Sequence, residues 1–172
     1  ALKQDDGYPS IRTPNVGRGR LILEGVNRVS KETYQRWTKR AIPTGGDLIL
    51  AREAPAGNVA IVPENLKVCL GQRTVLIRPN KKQVDPDYLL YFLLDDVTQS
   101  QLLALGTGAT VPHVNMSDIR SLPLPEFPPL PTQRRIASIL STYDDLIENN
   151  THRIKILEEM AQRLYREGFV HF

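Results

Sequence analysis

Arginine gathers where this sequence interrupts its apolar runs. In "RTPNVGRGR" (12–20), Arg12, Arg18 and Arg20 stand with Asn15 around two glycines. In "AREAPAGNVAIVP" (51–63), Arg52 and Glu53 follow an apolar run directly, before Pro55 and Gly57 turn the chain back. A guanidinium can bridge two acceptors on a guanine edge or grip a phosphate, so arginines on short loops suit contact with a polyanion. Arg73 beside Gln72, and Thr107, Thr110 and His113 in "GTGATVPH" (106–113), put further polar groups at similar breaks. Other roles stand beside this one. Arg52 and Glu53 can pair on the surface or brace a tight hairpin, Gln72 and Arg73 can brace the core, and the threonines can satisfy a Gly-Thr turn with their own hydroxyls. Lys81 and Lys82 are expected in a solvated turn.

Motifs of the common catalytic chemistries are missing. There is no Walker-type phosphate loop, no Asn-Pro-Pro-Tyr or Asp-Pro-Pro-Tyr methylase tetrapeptide, and no spacing that suggests a metal site. "GRGR" (17–20) lacks the Lys-Ser/Thr and amphipathic helix of a phosphate cradle. His113, His152 and His171 lie far apart, and the single Cys69 sits in the strand-like run "LKVCL" as a small packed residue. A metal-dependent nuclease would need a carboxylate-plus-lysine site, for which "PENLK" (63–67) is the nearest look-alike.

The elements that must hold these side chains follow from size and pattern. With 172 residues and 41% hydrophobic content, the chain suffices for one domain core plus an appendage. No run reaches the roughly 18 apolar residues of a membrane span, and no signal segment opens the chain, so a soluble, cytoplasmic protein is expected. Residues 1–94 carry 15 Lys and Arg against 9 Asp and Glu, whereas residues 95–172 carry 7 against 10. A basic front favours a nucleic acid, and the acidic back a different partner.

Up to about residue 125, short apolar runs between Gly, Pro and Asn predict strands over 20–24, 47–51, 58–62, 66–70 and 73–79. Ser30 predicts the N-cap of a short helix over 30–42. Asp85, Pro86 and Asp87 predict the start of a helix over 85–105, apolar all round from Tyr88 to Leu94. "PLPEFPPLP" (123–131) puts five prolines in nine residues, a stiff extended spacer that marks a boundary. The expected domains are 1–125, a linker 126–131, and a long helix with its tail over 132–172. In that helix Ile136, Leu140, Tyr143, Ile147, Asn150, Ile154, Leu157, Ala161 and Leu164 recur at alternating three and four, the spacing of a heptad seam. Such a seam either folds back on its own globule or pairs with another long helix, for which Asn150 is suited to fix register. A coiled-coil adaptor that binds only protein would explain this helix and leave the basic front unused.

The succession "GYPSIRTPNVGRGRLIL", "GDLILAREAPAGNVAIVP", "CLGQRTVLIRP", "DPDYLLYFL", "GATVPHVNMSDIRSLPLPEFPPLPTQRRIASIL" and "LEEMAQRLYREGF" resembles the specificity subunits of type I restriction-modification systems. The resemblance implies an α+β chain, a mainly β target recognition domain with short helices followed by a spacer helix that forms a coiled coil. It also implies no catalytic site. Such subunits read one part of a split double-stranded DNA target and hold adenine methyltransferase subunits, and through them the restriction-translocase subunits. Cofactors are then the partners' own: S-adenosylmethionine, Mg and ATP. On this reading Arg12, Asn15, Arg18, Arg20, Arg52, Arg73, Thr107, Thr110 and His113 are the candidate DNA contacts. The seam pairs with a second copy or a second specificity half. The family's usual opening strand is absent, so the chain is expected to begin inside the recognition domain. It has one recognition domain and one spacer where the common subunit has two of each.

Overall fold

The structure is a computed structural model that describes residues 7–106 and 113–169. The chain opens with β1 (Tyr8–Ile11), a single 3-10 turn (Thr13–Asn15), β2 (Gly19–Arg20) and β3 (Arg28–Val29). Next come α1 (Lys31–Trp37), β4 (Leu48–Ala51), β5 (Val59–Ile61), β6 (Cys69–Leu70) and β7 (Thr74–Ile77). The helices α2 (Pro86–Leu94), α3 (Asp96–Ala104), α4 (Met116–Ser121) and α5 (Leu130–Phe169) complete it. It is the α+β arrangement expected, with short strands in front and a 40-residue helix at the end.

Two sheets form. In one, β1 lies between antiparallel β3 and parallel β6. In the other, the order is β2-β5-β4-β7, with β4 antiparallel to both neighbours and β5 parallel to β2. All four residues of β4 are buried, because side chains alternate across a strand and both faces here are covered. Leu48 and Leu50 join Val59, Leu89, Leu90, Leu93, Leu102, Val114 and Leu122 in one apolar cluster. Ile49 and Ala51 join Ile11, Val16, Ala60, Val62 and Val68 in a second.

Helix starts follow the caps read from the sequence. Ser30 accepts from Thr33 N at 3.3 Å, and the Asp85 carboxylate accepts from Asp87 N and Tyr88 N. Other bounds move for local reasons. α1 stops at Trp37, where the Thr38 hydroxyl and amide both turn back onto the Tyr34 carbonyl. The helix expected over 85–105 is two helices, because Asp95 is extended and caps a new start by accepting from Val97 N and Thr98 N. Of the run 20–24, only Arg20 falls in a strand, Leu21 makes an isolated bridge to Val16, and Ile22 and Leu23 are exposed.

The proline segment is docked. Phe127 meets Tyr88 and Phe92 edge-on at 5.5 and 5.2 Å. α5 begins within the prolines, at Leu130, and its Gln133 is 1% exposed. The Gln133 side chain accepts from Asp85 N at 2.8 Å and donates to the Gln83 and Pro128 carbonyls at 3.1 and 2.7 Å. The chain divides into two compact units, one up to Arg134 and one from Arg135 onward, the latter the remainder of α5 and the tail.

Candidate nucleic-acid interface

Four breaks in the chain meet at one end of the sheets. β4 runs into Arg52, and antiparallel β7 starts beside it, since Ala51 is opposite Thr74 and Arg52 N donates to the Arg73 carbonyl at 2.9 Å. β1 and parallel β6 finish at the same end. The Ile11 carbonyl accepts from Gly71 N at 2.8 Å and from the Thr74 hydroxyl at 3.3 Å. Val114 N donates to the Arg52 carbonyl at 2.9 Å, which adds the chain from His113 onward. Asn58 Nδ2, at the start of β5, holds the Val16 carbonyl at 2.9 Å and ties in the 12–20 loop. Residues 12, 52–53, 71–73 and 113 thus become neighbours.

The turn that follows Glu53 answers to packing. The Ala54–Pro55 peptide is cis, and Gly57 has φ +90° and closes the loop by donating to the Ala51 carbonyl at 2.9 Å. A side chain at Gly57 would meet Gln99 Oε1 at 2.5 Å, and Gln99 donates to the Gly57 carbonyl at 2.9 Å. Gly71 is equally constrained, since a Cβ there would lie 2.5 Å from Arg12 Cγ. The stem of Arg12 therefore lies across the 71–73 turn.

The arginines divide by what they hold. Arg12 and Gln72 are exposed, and among the described residues no ion pair engages Arg12. Arg18 donates to the Leu94 carbonyl at 3.1 Å, a cation on the last turn of α2. Arg20 is exposed on β2. Asn15 is buried, its amide donating to the Ile22 carbonyl at 3.2 Å while its oxygen accepts from Arg12 N, so it shapes the loop. Arg52 donates Nε to the Val114 carbonyl at 2.8 Å, and its NH2 meets His113 Nε2 at 2.8 Å. Glu53 takes His113 Nδ1 at 2.9 Å on one carboxylate oxygen and Arg73 NH1 on the other. Arg73 has φ +62°, and its side chain is 63% exposed.

The adjacent pair weighed for Arg52 and Glu53 is therefore replaced by two longer-range sets of partners. The two residues are linked through the His113 ring, which meets Arg52 on one nitrogen and Glu53 on the other, while Val114 and Arg73 complete their partners. Thr107 and Thr110 lie outside the described residues. Lys81 is exposed and donates to the Gly45 carbonyl at 3.1 Å, and Lys82 is exposed.

Sequence reading passed over a second charged brace. Asp47 is 2% exposed and receives Arg78 at 2.9 and 2.6 Å, with Arg78 also donating to the Ile42 carbonyl at 2.7 Å. Its only local signal was the "GGD" break before β4. Burial pushes the Cys69 thiol up, and its Sγ lies 3.6 Å from the Pro9 carbonyl. Among the described residues no group of three or more His, Cys, Asp or Glu side chains is placed to hold a metal ion. None of the described helices is long and apolar enough to cross a membrane.

The seam residues of α5 lie exposed in the single chain. Exposure rises from 38% at Ile136 and 37% at Leu140 to 62% at Tyr143, 63% at Ile147, 56% at Ile154, 62% at Leu157 and 68% at Leu164, and Asn150 is exposed among them.

Comparison with known proteins gives a consistent result. Residues 1–159 match the family model described as the type I restriction modification DNA specificity domain. The MjaIX type I restriction enzyme specificity subunit of Methanocaldococcus jannaschii is 30% identical over 88% of this chain and 34% of its own length. The HindI specificity subunit of Haemophilus influenzae is 30% identical over 97% of this chain and 37% of its own. In fold, the chain is similar to the HsdS subunit of Thermoanaerobacter tengcongensis, with TM-score 0.63, 19% identity, and 93% of this chain and 41% of that one covered. It is likewise similar to the type I S subunit of M. genitalium, with TM-score 0.66, 19% identity, and 98% and 40% covered. The chain spans about a third of the length of these curated relatives.

Proposed function

This chain belongs to the family of type I restriction modification DNA specificity domains, and from that membership we propose that it reads one half of a split sequence in double-stranded DNA. The observation that carries the reading is the convergence at one sheet end of Arg12, Gln72 and Arg73, all exposed, on loops that a rigid, doubly covered sheet holds in place. Loops of this kind on a fixed platform are where base and phosphate contacts are made. Arg18, Arg20, Arg52 and His113 belong to the same proposed face, and Thr107 and Thr110, outside the described residues, stay proposed contacts on the family resemblance alone. For Arg52 and His113, whose polar atoms already brace the fold, the proposed part is to support the contacts.

On this reading the chain performs no chemistry of its own. Adenine methyltransferase subunits dock on it and bind S-adenosylmethionine, restriction-translocase subunits join through them with Mg and ATP, and the assembly works in the cytoplasm. The exposed seam of α5 pairs antiparallel with a second copy or a second specificity half, so that two recognition units stand at opposite ends of a helical spacer. A contiguous apolar stripe on a single helix is the sort of surface that a partner covers.

The test is a genome-wide methyladenine map with and without the gene, its methyltransferase present in both. Two short specified blocks around an unspecified gap should vanish with the gene. A palindromic motif would point to two identical halves, and an asymmetric one to a second, different recognition domain. An unchanged map in cells where the methyltransferase is active would sink the proposal.

A further inference from the structure

A carboxylate stands at the middle of a face proposed to hold a polyanion. The Glu53 side chain is 13% exposed and holds His113 on one oxygen and Arg73 on the other. A guanidinium can only donate, so His113 Nε2 accepts from Arg52, and Nδ1 carries the hydrogen given to Glu53. Donors thus run from Arg52 through His113 into Glu53, and Arg52 is itself fastened to the Val114 carbonyl at 2.8 Å. On this side Glu53 is held by the fold. On the other side is Arg73, whose backbone is fixed in the left-handed region by the β6–β7 turn and whose side chain is 63% exposed.

Phosphate binding gains nothing from this carboxylate, which repels a polyanion and neutralises one cation. Its contribution is direction. A guanidinium held by one nitrogen has its other donors aimed, and much of its rotamer freedom is lost before any ligand arrives. Aim matters little for a phosphate met anywhere along a backbone, and greatly for a base edge, where paired donors must meet paired acceptors.

Resting on the DNA-recognition reading above, we infer that Glu53 is a positioning residue that holds Arg73 for a base-edge contact, giving up non-specific affinity for sequence discrimination. The Arg52–His113 arm is the strut that keeps Glu53 in place.

The experiment is selection from a randomised duplex library, with mixed-sequence duplex affinity measured across salt, using the chain assembled with its methyltransferase subunits. The variants are Glu53→Gln, Arg73→Gln and the double substitution. Glu53→Gln should bind mixed-sequence duplex more tightly, by about threefold, with a log-log salt slope steeper by about 1. In its selected motif one position should lose about tenfold of its preference while the others keep theirs. Arg73→Gln should flatten that same position, and the double variant should match Arg73→Gln there, since Glu53 acts through Arg73. Parallel loss of selected and mixed-sequence binding in Glu53→Gln, with no position flattened, would make Glu53 a brace alone and overturn the inference. Should that variant fail to fold, Glu53→Asp takes its place, because the shorter carboxylate cannot reach both His113 and Arg73: flattening at the position that Arg73→Gln flattens upholds the inference, and an unaltered motif overturns it. A wild-type chain that selects no motif would remove the DNA reading itself, and this inference with it.

Discussion

Asp47 shows how one buried charge holds the ground beneath the loops. Burial alone would push its carboxyl up, but hydrogen bonds from Arg78 and Thr44 outweigh that and hold it below the ordinary Asp range. A group whose folded-state value is depressed stabilises the fold in full above the unfolded value, near 4, and loses that contribution as the pH falls through the folded one. Asp47→Asn should therefore cost about 2 kcal/mol at pH 7, discounted from a fully buried pair because Arg78 is half exposed. Urea denaturation of both proteins at pH 7 and pH 3 checks this. The gap should narrow at the lower pH, and a constant gap would mean that the carboxylate's charge is not what matters.

Among the elements, the first turn of α5 is the most tightly held. Gln133 satisfies its whole amide on three backbone groups from two other segments, Asp85 N at the cap of α2 among them. Gln133→Ala would leave those groups buried without partners, at about 3 kcal/mol. The midpoint of chemical unfolding should move accordingly, and a loss under about 1 kcal/mol would show that water replaces the amide easily. The proline segment contributes here through Phe127, seated against Tyr88 and Phe92. Proline stiffness was readable from composition, but which aromatic rings it presses was not.

For the whole molecule, the 40 residues of α5 give a helix of about 60 Å at 1.5 Å per residue. If its seam pairs as proposed, helix length sets the gap between two half-sites. Deleting the heptad 147–153 removes about 10 Å. At roughly 3.4 Å per base pair the recognised gap should shorten by about three base pairs. A methyladenine map of cells carrying the deletion reads this directly. The two blocks should keep their bases, and an unchanged gap would end the ruler interpretation.

By itself the sequence determined whatever depends on neighbours in the chain. Ser30 and Asp85 marked helix starts, because a cap needs only amides two or three residues on. The runs 47–51 and 58–62 marked the two central strands of the larger sheet, and alternating threes and fours marked the seam from Ile136 to Leu164. Asp95 was legible by the same rule and was absorbed into one long helix because the flanking run was so apolar. Tertiary structure alone decided the rest. β1, β3 and β6 have two to four residues each, too few for any periodicity, and exist through their pairing. Arg52, Glu53, Arg73 and His113 look alike as charged or polar loop residues in the sequence. Which of them braces and which faces outward depends on carbonyls and carboxylates 20 to 62 positions away. A charge finds its partner through the folded backbone, and spacing along the chain carries no record of that choice.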